Sequence, residues 1–252
     1  FPRQDKKSLS DAAAEVRQGV MNAASLERQQ GFPVTPAKWV PQLSRLAANI
    51  MDLTADFIVD DEANQRSFEM QGLANLLWAW ATAGRASHEA FRMVSRCMIQ
   101  QADQHLDDGS DPRDLLKPQH WSNTVWAFAT ARVNVGYEEL LVYLASLLHR
   151  YPWSIDSFSG QEVGNTVWGI ATLLSNKRAF LAEVVTEREQ TAALSVLRHL
   201  LLLVVQRQAE NFNPQNLSYT LWAMATLGFG LSSSQEHSGS MCFILKSDRQ
   251  VE

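Results

Sequence analysis

Gln71-Gly-Leu-Ala-Asn75-Leu-Leu-Trp78-Ala-Trp-Ala-Thr82 is the stretch on which the fold turns, because the chain repeats it three more times. The later copies read Gln119-His-Trp-Ser-Asn123-Thr-Val-Trp126-Ala-Phe-Ala-Thr130, Gln161-Glu-Val-Gly-Asn165-Thr-Val-Trp168-Gly-Ile-Ala-Thr172 and Gln215-Asn-Leu-Ser-Tyr219-Thr-Leu-Trp222-Ala-Met-Ala-Thr226. Gln, Trp and Thr keep their offsets in all four, and the tryptophans follow one another at intervals of 48, 42 and 54 residues. A rigid phrase at a loose period of about 40–50 residues is the mark of a helical-repeat array with insertions between units. The default work of such an array is binding.

On a helix turning about 100° per residue, Gln71, Asn75, Trp78 and Thr82 fall on one side, opposite Leu73, Leu77 and Trp80. The other copies repeat this, with Trp121, Val125 and Phe128, then Val163, Val167 and Ile170, then Leu217, Leu221 and Met224 on the aliphatic side. A helix crowded on two sides belongs inside a stack, and buried amides there must find hydrogen-bond partners. The Gln–Asn–Trp–Thr row, flanked by small residues such as Ala74, Ala79 and Ala81, is therefore read as glue between repeats. Its structural signature is Gln71, Asn75, Trp78, Gln119, Asn123, Trp126, Gln161, Asn165, Trp168, Gln215 and Trp222, with the tryptophans expected in the core. Two variable columns remain as the least packed positions: Gly72, His120, Glu162 and Asn216, and beside them Leu76, Thr124, Thr166 and Thr220. These are the expected RNA- or partner-facing residues, since a one-repeat-per-base code needs variation at a fixed position.

The expected fold is all-α, a right-handed α-solenoid of antiparallel helix pairs with about four clear repeats and a degenerate N-terminal unit. Second helices are predicted over 87–104, 137–150 and 191–208, and earlier ones over 37–57 and 9–28. Ser159 with Glu162 predicts a capping box, Asn213-Pro214 an N-cap with proline at the first helical position, and Gly84 and Gly228 helix stops. The chain divides into a degenerate helical cap (1–36), the repeat array (37–228) and an irregular tail (229–252), in which Met241 to Leu245 could form a short strand. It begins at Phe1 rather than Met, as a processed or truncated product would.

Apolar residues make up 46% and charged residues 19%, enough for a substantial core and too apolar for a disordered chain. The net charge of -5 leaves no global basic field to draw in nucleic acid. No Lys or Arg lies within any copy of the phrase; Arg85, Lys117 and Arg132 lie just beside them. Two cysteines, Cys97 and Cys242, exclude a disulfide framework or thiolate zinc cluster. The longest aliphatic run, Leu200 to Val205, is far too short to span a membrane.

The acidic stretch Asp103, Asp107, Asp108, Asp111, Asp114 lacks the ligand spacing and closing Glu of a calcium loop, and the histidines form no metal-ligand pair at helical spacing. There is no nucleophile elbow, no phosphate-cradling glycine loop and no Cys/His pairing. The expectation is a protein that is not an enzyme, with no metal, no cofactor and no small-molecule substrate. Outside the repeated column, Trp39 and Trp153 are the tryptophans best placed for exposed contacts.

From Phe68 to Ala81 the chain reads Phe-x-x-Gln-x-Leu-Ala-Asn-x-x-Trp-Ala-x-Ala, and Phe158 and Phe212 repeat the leading aromatic while Leu116 replaces it in the second copy. This pattern resembles the octotricopeptide repeats of algal organelles and the related helical arrays of proteins bearing a RAP or FAST-kinase-like region. The resemblance covers about 68–228. It implies an α-solenoid in a mitochondrion or chloroplast that handles organellar RNA, in its stability, processing or translation. The expected partner is single-stranded or ribosomal RNA. The alternative is a protein–protein scaffold, a structural subunit of a large organellar complex, which the acidity and the cation-free phrases favour.

Overall fold

In the computed structural model the described residues are 36–60, 67–109, 111–112, 117–180, 186–207 and 209–228, with side chains at 36–40, 42 and 177–180 left aside. Among them the secondary structure is helical throughout. The chain divides into two compact units, Phe1–Ser67 and Phe68–Glu252. The first contributes α1 (Pro36–Asp60), in which Ala55 and Ile58 are buried and Leu43 and Ile50 are exposed. The expected helix over 9–28 and the strand over Met241 to Leu245 lie outside the described residues.

The second unit contains α2 (Met70–Ala83), α3 (His88–Asp107), α4 (Pro118–Ala131), α5 (Tyr137–Arg150), a short 3-10 helix (Pro152–Ser157), α6 (Gly160–Phe180), α7 (Glu187–Gln206) and α8 (Pro214–Thr226). The phrase occupies α2, α4, α6 and α8, and the predicted second helices are α3, α5 and α7. Their ends are set by the expected chemistry. Ser159 and Glu162 bond each other's backbone N–H, at 2.7 Å from Ser159 N to the carboxylate and 3.4 Å from Glu162 N to the hydroxyl. Asn213 Oδ1 accepts from Asn216 N at 2.8 Å, and Pro214 follows at the first helical position. Six residues beyond each Trp the chain turns left-handed at Gly84 (φ 66°), Arg132 (φ 56°) and Gly228 (φ 80°). The equivalent residue of the third copy, Leu174, makes no such turn, and α6 runs on to Phe180.

Two layers result. In one, α2 packs on α4, α4 on α6 and α6 on α8; in the other, α5 lies between α3 and α7. α6 and α8 run parallel: a Cβ on Gly160 would strike Phe212 and one on Gly164 would meet Asn216, the same register four residues along. This all-helical, side-by-side packing is what a helical-repeat array requires. The aliphatic stripes of α2, α4 and α6 point to the second layer, where Trp80, Phe91 and Phe128 join α2, α3 and α4, with Phe91 edge-on to Phe128 at 5.1 Å, whereas in the stripe of α8 Leu221 is exposed. Leu73, Leu77, Val125, Val163, Val167 and Ile170 are buried with them.

Polar side chains brace the hairpins. Gln101 Nε2 on α3 donates to the Phe68 carbonyl at 2.8 Å, and Arg207 at the end of α7 donates to the Phe158 carbonyl at 2.6 Å. Each clamp ties the end of a second helix back to the aromatic that leads its own repeat. Glu189, buried, accepts from the Tyr137 hydroxyl at 2.5 Å and from Thr186 N at 2.7 Å, joining the starts of α5 and α7.

Candidate functional site

Each phrase helix has four sides, and the two-layer packing assigns them. One side meets the second layer. A second, carrying the small residues at the Ala74, Ser122 and Gly164 position, meets the next phrase helix; Gly164 lies against Asn216. A third meets the preceding phrase helix: Gly169 of α6 sits over Val125 of α4, so close that an added Cβ would come 2.8 Å from its Cγ1. Solvent reaches the fourth, which carries the Gln–Asn–Trp–Thr row, although the hydroxyls of Thr130 and Thr172 in the middle copies are buried without a hydrogen-bond partner.

The packing expectation for the row is overturned at the glutamines, Asn75, Trp78 and Trp222 and met only in part at the half-buried residues of the middle copies. Gln71, Gln119, Gln161 and Gln215 are all exposed, as is Asn75, while Asn123 and Asn165 are half-buried. Among the described residues no hydrogen bond joins these amides from one repeat to the next; Gln215 Nε2 donates within its own helix to the Tyr219 hydroxyl at 2.9 Å. Nor are the signature tryptophans core residues. Trp78 and Trp222 are each 46% exposed, and Trp126 and Trp168 are half-buried. The rings meet across helix boundaries: Trp78 with Trp126 at 6.3 Å and 28° between planes, Trp168 with Trp222 at 6.5 Å and 34°. Tyr219, which replaces the fourth Asn, adds a ring 6.1 Å from Trp168. Such centroid distances are those of offset or tilted aromatic contact, in which each ring covers part of its neighbour.

The two variable columns, expected to face a ligand, lie mostly between helices. His120, Asn216, Thr124, Thr166 and Thr220 are buried, while Gly72, Leu76 and Glu162 are half-buried. The physical reason is lateral packing: these positions form the side that meets the preceding phrase helix. Threonine is tolerated there because its hydroxyl finds its partner within the helix. Thr124 donates to the His120 carbonyl at 2.7 Å, Thr166 to Glu162 at 2.8 Å and Thr220 to Asn216 at 2.9 Å. The Glu162 carboxylate is held in its capping box. Burial, and after it the charge of Lys117, pushes the His120 pKa below its usual value.

Other features stand apart from the row. Exposed Trp153 lies 5.9 Å from Tyr151, with Arg150 over the Tyr151 ring, whereas Trp121 is fully buried and Trp39 has no described side chain. The Tyr143 hydroxyl donates to Asp103 at 2.7 Å, and burial with that bond raises its pKa. A shallow cleft between α5 and α7 is lined by Val142, His149, Glu187, Arg188 and Ser195 among others. No group of three His, Cys, Asp or Glu among the described residues could hold a metal, and none of their helices is long and apolar enough to cross a membrane.

The row's polarity is the signal that could have identified it: glutamine and threonine at one helical azimuth in every copy, with asparagine beside them in three. Compared with family models, curated proteins and solved structures, the chain matches none of them.

Proposed function

We propose that this chain is a non-enzymatic helical-repeat protein that binds single-stranded RNA along its Gln–Asn–Trp–Thr face. The scaffold of the proposal is a right-handed solenoid of four repeats with a degenerate N-terminal unit. One observation carries the reading: four tryptophans, exposed or half-buried, stand in register with exposed amides on neighbouring helices. Single-strand binders combine aromatic platforms, on which bases stack, with cationic groups that follow the backbone. An amide offers both donors and an acceptor to the edge of a stacked base. Lys117 and Arg132, at either end of α4, and Arg85, just past α2, are exposed and supply cations at the margins of the face. The likeness of the phrase to octotricopeptide repeats extends the reading to organellar transcripts or ribosomal RNA, in a mitochondrion or chloroplast.

A titration of the purified chain with single-stranded RNA tests it. Binding should weaken by about tenfold in Trp126→Ala and again in Trp168→Ala, as the loss of a stacked base predicts, with the helical circular dichroism retained. Absence of binding to the parent chain at low salt would sink the reading.

A protein scaffold is the second reading, favoured by the net charge of -5 and by the lack of any Lys or Arg within the phrases. The same amides would then pair with the backbone of an extended protein segment, within a large organellar assembly. Co-purification of a protein partner that Trp126→Ala releases, with no RNA bound, would support it.

A further inference from the structure

We infer that the face reads no base sequence: its ligand is an unstructured single strand of RNA, whatever the order of its bases. This rests on the RNA reading above and departs from what variable repeats would suggest. A code needs positions that are both exposed and different from one repeat to the next. Here the two properties are separated. The residues that differ are walled between neighbouring helices, with His120, Thr124, Thr166, Asn216 and Thr220 all below a tenth exposed. Of the remaining three, Gly72 has no side chain, Leu76 is half-buried and apolar, and Glu162 spends its carboxylate on the Ser159 N–H.

The residues of the solvent-facing row are nearly the same in each repeat: Gln, Asn and Trp, with Tyr219 the one departure, while its fourth member, Thr, buries its hydroxyl at Thr130 and Thr172. Identical subsites in a row respond only to what recurs along the ligand. In RNA that is the flat face of each base and the sugar–phosphate chain, both indifferent to base order. Tyr219 does not alter this, because it adds another ring beside Trp168 and takes the Gln215 amide as its partner. The cations limit the electrostatic share. If Arg85, Lys117 and Arg132 each met a phosphate, log affinity would fall against log salt with a slope of only about -2.

The experiment uses the 1–252 chain and labelled RNAs of about 16 nucleotides, the upper site size of a single-strand module. The set is one mixed sequence, two shuffles of the same composition, and homopolymers of adenosine and uridine, read by anisotropy across a salt series. The shuffles should bind within about threefold of one another, with the adenosine strand tighter than the uridine strand because the larger ring stacks better. Trp126→Ala and Trp168→Ala should weaken all five by a common factor. One shuffle bound more than about thirtyfold tighter than the others, the order of a single mismatch penalty or more, would overturn the inference and leave RNA binding standing. Failure of every strand to bind the folded protein would instead remove the RNA reading, and this inference with it.

Discussion

Tryptophans two residues apart in the first phrase occupy opposite environments. Trp80 is 1% exposed, packed beside Phe91 between the layers, whereas Trp78 presents nearly half its surface and meets the next repeat through the ring of Trp126. Replacing a buried aromatic by alanine costs about 3–5 kcal/mol, so Trp80→Ala should come close to unfolding the array. Trp126→Ala gives up one half-buried ring contact and should cost about 1–2 kcal/mol. Urea denaturation ranks the two variants, and equal losses would mean that the exposed face is packed after all. His120 carries a pH consequence. Its Nδ1 is buried without a hydrogen-bond partner, and its pKa lies below the usual value. The unfolded chain therefore binds more protons than the folded one between the lowered value and about 6.5. Stability is complete above that window and is lost as pH falls through it. Melting temperatures at neutral pH and near pH 5 should differ less in His120→Gln than in the parent chain; an unchanged difference would place the sensitivity elsewhere.

At the scale of the element, the spacing of neighbouring helices depends on what stands at their lateral contacts. Gly169 is a tight one inside α6, where a Cβ would meet the Val125 side chain at 2.8 Å and its backbone oxygen at 3.1 Å. Alanine is the better helix former by about 1 kcal/mol, but overpacking against backbone that cannot turn aside costs about 1–3 kcal/mol. Gly169→Ala should therefore lower the urea midpoint; a rise would show that α4 and α6 can part without penalty. The capping box at Ser159, the cap at Asn213 and the stop at Gly84 were visible in the sequence, because each is set by a few neighbouring residues, whereas the role of Gly169 depends on Val125 in another helix. The orientation of the phrase helices was not. A helical wheel separates four sides but does not say which three find neighbours, and large indoles drew the assignment inward. Thr124, Thr166 and Thr220 reinforced the error, since their hydroxyls are satisfied inside the helix and bear no outward sign of burial. The clamps from Gln101 and Arg207 joined residues 33 and 49 positions apart and had no local signal at all.

At the scale of the repeat-bearing unit, each phrase helix is braced by its neighbours, and stability adds up from repeat to repeat. α4 and α6 have a phrase helix on either side, while among the described residues α8 has α6 on one side only. The difference shows at equivalent positions: Leu77, Val125 and Val167 are buried, whereas Leu221 is 65% exposed, and Ser218 and Ala225 are exposed where Ala74 and Ala81 are not. Native-state hydrogen exchange should accordingly find α8 opening first, with protection rising through α6 to α4. Uniform protection across the three would mean that the unit opens as one body. The paired tryptophans lend the array an optical character of their own. Rings in partial contact with water emit toward the red, and neighbouring indoles couple their electronic transitions. A strand laid across the face, or a slip of one helix along the next, would change both signals, so the row reports on its own occupancy without a label.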